Sequence, residues 1–172
     1  METIEIRTAG AEDLALLQQL GRKTFLETFS ESNTAENMQH YLAESFSAER
    51  LTRELQTPGS SFYLAFAGKR PAGYLKVNTG RAQTELHDGQ ALEIERIYVL
   101  HQFQGQKVGQ ALFEKALRLA GEMGASCVWL GVWEQNEKAI GFYKKNGFVV
   151  FDKHLFQLGG EAQTDILMKR KV

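Results

Sequence analysis

The chain has 172 residues, 43% of them apolar and 24% charged, and a formal net charge of −1. This is the composition of a folded globular protein large enough to bury a core, and the near-zero charge excludes a general affinity for nucleic acid or an acidic membrane surface. A single cysteine, Cys127, leaves no disulfide framework, and no uncharged apolar run is long enough to span a bilayer. The first twenty residues are broken by charge and lack the apolar stretch of a secretory signal, so the cytoplasm is the expected location.

No linker, repeat or block of like charge divides the chain, so residues 1–172 are expected to form one domain. "TIEIRTA" alternates and predicts a first strand. In "GAEDLALLQQLGRKTFLETF", Leu14, Leu17, Leu20, Phe25 and Phe29 recur near helical spacing. Two shorter helices are predicted in "NTAENMQHYLAESF" and "SAERLTREL", with Asn33 or Thr34 and Ser47 as N-caps. "SSFYLAFAGKRPAGYLKVN" reads as a hairpin turning through Gly68, Lys69 and Arg70, with Pro71 opening its second strand. After a polar loop, "ALEIERIYVL" is a long strand.

"QFQGQKVGQALFEKAL", residues 102–117, begins as a polar loop and becomes an amphipathic helix running to about Met123. Its predicted buried stripe is Val108, Leu112, Ala116, Leu119 and Met123. "SCVWLGVW" is a strand with little alternation, as in a sheet covered on both faces. "NEKAIGFYKKNG" predicts a short helix capped by Asn136 and stopped by Gly147 in a left-handed turn. "FVVFDKHLFQL" and "TDILMKRK" close the chain as strands. Helices covering a mixed sheet give an α/β or α+β domain.

The start of the 102–117 helix is chemically exposed. Its first N–H groups have no partner within the helix, the dipole adds positive charge there, and Gly105 and Gly109 remove side chains where a ligand would approach the backbone. An anion such as a pyrophosphate suits that arrangement. A P-loop is excluded because Gln110 and Ala111 follow Gly109 in place of Lys-Ser/Thr, and no Gly-x-Gly-x-x-Gly follows a first strand.

The segment from 91 to 147 resembles the acetyl-CoA-binding half of the GNAT superfamily of N-acetyltransferases. That family's loop, Gln/Arg-x-x-Gly-x-Gly/Ala, falls on Gln104 through Gly109, with Lys107 in place of the first glycine. Its next pattern, Asn-x-x-Ala-x-x-x-Tyr-x-x-x-Gly-Phe, matches at Asn136, Ala139, Tyr143, Gly147 and Phe148. Over most of its length the chain looks like the bacterial spermine/spermidine acetyltransferases of the PaiA type. The resemblance implies a mixed, mostly antiparallel sheet of about seven strands with a splayed parallel pair holding the cofactor. It also implies an acetyl-CoA cosubstrate, no metal, and a small-molecule amine acceptor of the polyamine class.

Direct acyl transfer needs a neutral amine, although a free alkyl ammonium has a pKa of about 10.4, and it also needs donors for the developing oxyanion and a proton for the leaving thiolate. The resemblance gives the thiolate proton to Tyr143 and the oxyanion donor to the Val99 N–H. It has Ile97, Tyr98 and Val99 pair with the pantetheine arm as an extra strand, and it gives the diphosphate to Gln104, Gly105, Gln106, Lys107, Val108, Gly109 and Gln110. Asn136 and Tyr143 complete the expected cofactor set. Lys107 keeps its backbone N–H and adds an ammonium that attracts phosphate. Glu93 and Glu95, two residues apart on one strand face, are the candidate bases.

Glu85, Asp88, Glu93 and Glu95 lie in a stretch without lysine or arginine, and Glu27, Glu31, Glu36 and Glu44 add acidic charge to the early helices, so a cleft rimmed by them would draw a polycationic amine. A protein or peptide amine is the alternative acceptor, and a non-catalytic CoA-binding module the alternative class. Cys127 has no histidine neighbour and reads as a buried thiol. His40, His87, His101 and His154 show no metal-ligand spacing. Trp129 and Trp133 flank Gly131 as core residues, with the substrate channel a second place for Trp133. The residues leave open whether the chain pairs into homodimers.

Overall fold

Strand β1, Ile4–Thr8, sits at one edge of a seven-stranded sheet of order β1-β2-β3-β4-β5-β7-β6. The computed structural model describes residues 1–158 and 160–172. The remaining strands are β2 (Ser60–Ala67), β3 (Arg70–Thr79), β4 (Ala91–Val99), β5 (Cys127–Trp133), β6 (Val149–Leu158) and β7 (Glu161–Lys171). Every neighbouring pair is antiparallel except β4 and β5. That pair is joined through α4, Val108–Glu122, as a parallel connection requires.

The other helices are α1 (Leu14–Phe29), α2 (Ala35–Ser45), α3 (Ala48–Gln56) and α5 (Glu137–Lys145). Cross-strand partners share a face of the sheet. On the face carrying Phe62, Lys76 and Arg96, Glu54 of α3 bonds both cations. The opposite face carries Tyr63 and Leu75, and Lys115 of α4 lies over the Tyr63 ring at 5.1 Å. Thus α3 and α4 cover opposite faces. Leu112, Phe113, Ala116 and Ala120 of α4 are buried in the main core, which Tyr143 and Phe148 join.

Local chemistry decides several boundaries. Thr34, not Asn33, caps α2 by accepting from the Asn37 amide, while the Asn33 side chain donates back to the Phe29 carbonyl. Ser47 caps α3 through the Arg50 amide. A 3₁₀ turn at Ala11–Asp13 precedes α1, so the predicted single long helix begins later. Arg70 belongs to β3 rather than to the hairpin turn. β7 begins at Glu161, ahead of the predicted "TDILMKRK", because its pairing with β6 extends to Leu158↔Glu161.

Met123 is a correction: predicted on the buried stripe, it is 41% exposed. The helix has already ended at Glu122, and Gly124 turns left-handed with φ 71°. Met123 therefore lies past the last helical turn, where the helical period no longer sets the direction of a side chain. Among the described residues, no helix is long and apolar enough to cross a membrane.

Candidate active site

β4 and β5 pair from Ala91↔Cys127 to Ile94↔Leu130, although β4 continues to Val99 and β5 to Trp133. Beyond Ile94 the two strands diverge into a V. The Leu100 amide donates to the Ala72 carbonyl at 2.9 Å, so alternate residues of β4 bond toward β3 and those between turn their backbone groups away from it. Ile97 and Val99 therefore present their N–H and C=O groups to the opening. Tyr98 directs its backbone toward β3, and its ring lies 6.1 Å from that of Tyr74.

Gln104 Nε2 donates to the Val99 carbonyl at 3.2 Å and ties the loop to the mouth of the V. The backbone then turns left-handed at Gly105, with φ 80°, and at Lys107, with φ 68°. Lys107 is the one non-glycine residue with positive φ among the described residues, a conformation that costs about 1 kcal/mol. Its side chain does not cap α4, and the first backbone bond closed there runs from the Ala111 amide to the Lys107 carbonyl, 3.0 Å. The amides of Val108, Gly109 and Gln110 thus open the helix without a side-chain cap. A Cβ on Gly105 would meet nothing within 4 Å, which leaves space beside this backbone. Left-handed turn, bare helix start and exposed ammonium fit a diphosphate. The other amide side chains of the loop are engaged: Gln106 donates to the Gln102 carbonyl, and Gln110 donates to Glu114 and Asn146.

Asn136 caps α5 by accepting from the Ala139 amide at 3.2 Å, and Gly147 ends the helix with φ 89°. This short, capped helix sets the position of Tyr143, which is 7% exposed with its ring 5.6 Å from Phe142 and 5.8 Å from Phe148. Burial pushes the phenol above its ordinary range, so at neutral pH the hydroxyl is a proton donor.

The two candidate bases share a face, as expected, but not an environment. Both accept from Asn78 Nδ2, Glu93 at 3.0 Å and Glu95 at 2.8 Å. Glu95 is pinned between Lys76 at 2.9 Å and Arg96 at 3.1 Å. Burial alone would raise its pKa, yet the two cations outweigh that and hold it below the ordinary carboxylate range. Glu54 is held down by the same pair of cations. Glu93, 3% exposed, is bonded instead to Asn78, the Thr84 amide and the Thr84 hydroxyl, and burial raises it. Of the two, Glu93 is the better proton acceptor.

The acidic rim is partly consumed by the protein. Glu93 and Glu95 are internal, Glu85 pairs with His154, and Glu27 accepts the His101 amide at 3.1 Å. Glu31, Glu36, Glu44 and Asp88 remain exposed. Trp129 is buried, donating its indole N–H to Gln83 at 2.7 Å. Trp133, on the diverging part of β5, packs its ring 5.5 Å from Phe29 of α1 and so joins the early helices to the rim of the V. Among the described residues, no three His, Cys, Asp or Glu side chains are grouped to hold a metal ion.

Sequence reasoning missed Lys76 and Asn78, although two polar side chains at alternate positions of an apolar strand were a usable signal. Thr84 and Lys138 carried none, because their partners Glu93 and Gln104 are set by the fold.

A parallel strand pair opened into a V, an uncapped helix start at its mouth and a buried phenol on the next helix define a domain built for acyl transfer from a coenzyme thioester. The chain belongs to the acetyltransferase (GNAT) family, whose profile matches residues 14–148. It is an acetyl-CoA-dependent N-acetyltransferase. An uncharacterized N-acetyltransferase in the pepI 3′ region of Lactobacillus delbrueckii subsp. lactis is 40% identical over 170 residues, covering 99% of this chain and 98% of that protein. The spermidine N(1)-acetyltransferase of Thermoplasma acidophilum is 29% identical, covering 87% of this chain and 91% of that one. The crystal structure of the PaiA N-acetyltransferase from Thermoplasma acidophilum with coenzyme A superposes with a TM-score of 0.81 at 25% identity, covering 99% of both chains.

Proposed function

We propose that the chain acetylates a primary amine of a small polycation of the spermidine class. Acetyl-CoA supplies the activated acetyl group as a thioester. The amides of residues 105–110 hold its diphosphate, with Lys107 adding attraction, and Ile97 and Val99 offer strand-like hydrogen bonds to the arm that reaches into the V. The Val99 N–H stabilises the oxyanion, Glu93 takes the proton that frees the amine, and Tyr143 returns a proton to the departing sulfur.

The observation that carries this reading is the contrast between two buried groups, a phenol on α5 and a carboxylate on β4. Tyr143 is held protonated by burial, while Glu93, at the apex of the V, is free of cationic partners. Glu95 is the weaker candidate for the base role because Lys76 and Arg96 stabilise its ionised form. The polyamine acceptor is supported by the likeness to the spermidine acetyltransferase and by the exposed carboxylates of Glu31, Glu36 and Glu44 on the segment from the end of α1 through α2.

The test is an acetyl-transfer screen following release of the coenzyme thiol with spermidine, spermine, free amino acids and lysine-containing peptides. Preferential turnover of the polyamines is expected. Peptide acetylation without polyamine acetylation would move the acceptor to the protein class.

A further inference from the structure

Glu93 is almost wholly buried, so a base at that position needs a route to an amine in the opening. Thr84 provides a chemical link. Its hydroxyl donates to Glu93 Oε2 at 2.5 Å, and its amide donates to Oε1 at 2.8 Å. Among the described residues, Thr84 Oγ1 is the hydrogen-bond partner of Oε2, whereas Oε1 is shared by Asn78 and the Thr84 amide. Thr84 itself is exposed.

The segment around Thr84 crosses the sheet where β4 and β5 part. Gln83 accepts the Trp129 indole N–H, and Trp129 is the cross-strand partner of Glu93 in the closing rungs of the V. Glu85 reaches His154, which pairs with Asp165, itself the partner of Trp133 on the open part of β5. Thr84 therefore lies on a strap over the apex, with the acid buried beneath it and its own surface exposed.

We propose that Thr84 relays the proton from the acceptor ammonium to Glu93. This rests on the reading of Glu93 as base. The ammonium N–H bond breaks and its proton passes to Thr84 Oγ1, while the hydroxyl's own proton passes to Glu93 Oε2. Nitrogen keeps the electron pair, the hydroxyl is regenerated, and the carboxylate becomes a neutral acid that later returns the proton to solvent. Around Glu93 the charged groups are Glu95 on its own strand, Lys76 on β3, Arg96 on β4 and Glu54 on α3. The three other than Glu95 belong to the ion-pair cluster that neutralises it. From β5 the facing residue is the uncharged Trp129.

The test compares kcat and KM against pH for the wild type, Thr84→Val, Thr84→Ser, Glu93→Gln and the Thr84→Val/Glu93→Gln double variant, with acetyl-CoA and spermidine. Valine keeps the backbone N–H that straps Glu93, so the hydroxyl alone is removed. Thr84→Val should lower kcat by about tenfold or more with the KM for acetyl-CoA unchanged, and move the acid limb of the profile to higher pH as Glu93 loses a donor. Thr84→Ser should stay within about twofold of wild type, and the double variant should be no slower than Glu93→Gln. A Thr84→Val enzyme with unchanged kcat, an unmoved acid limb, or losses that multiply in the double variant overturns the relay. Wild-type activity in Glu93→Gln overturns both relay and base. If a lysine peptide is acetylated and spermidine is not, the acceptor assignment fails and the same comparison on the peptide decides the relay alone. Turnover of neither overturns both.

Discussion

Lys138 donates to Gln104 Oε1 at 3.0 Å, linking the helix that carries the phenol to the loop that opens α4. Gln104 also holds the Val99 carbonyl, so one side chain joins the end of β4 to α5. Gln104→Ala removes both bonds at once. CoA affinity should fall several-fold by calorimetry, roughly 1 kcal/mol, while Lys138→Met, at an exposed position, should cost less.

Tyr143→Phe keeps the ring that packs with Phe142 and Phe148 and deletes the proton donor. Turnover should drop on the order of a hundredfold, with thermal stability and CoA binding close to wild type. Steady-state kinetics beside a melting curve checks this. Unchanged turnover would remove Tyr143 from its role.

Lys107→Gly relieves a left-handed residue and removes a cation at the same site. The melting temperature should rise, corresponding to about 1 kcal/mol. The CoA dissociation constant should rise and become less sensitive to salt, as measured by titration at two ionic strengths.

Lys76→Met breaks a buried cluster in which one ammonium, 5% exposed, serves both Glu54 and Glu95. Removing one partner of such a cluster costs about 3–5 kcal/mol. The folded pKa values of both acids lie below the ordinary 4.5, so their contribution to stability is present above 4.5 and lost as pH falls through the folded values. With less depression in the variant, that loss should occur at higher pH. Chemical denaturation from pH 3 to 7 reads the shift, and an unmoved acid transition would show that Lys76 does not set these acids.

Much of the chain was legible because its signals are local. The Asn136 cap, the Gly147 stop and the Tyr143 motif all fall within one short helix, and the order of strands and helices follows from periodicity that each segment carries alone. The candidate site was legible where a backbone end makes it, as at the start of α4.

What the tertiary structure alone decided involves distant parts of the chain. Glu93 and Glu95 are equivalent by strand position, yet the register of β3 on β4 brings Lys76 to Glu95, beside its own neighbour Arg96, while the segment before β4 brings Thr84 to Glu93. Local sequence determines which groups a strand presents and how often. Proton affinity depends on the charges and donors within a few ångströms, and only the packed sheet brings those together.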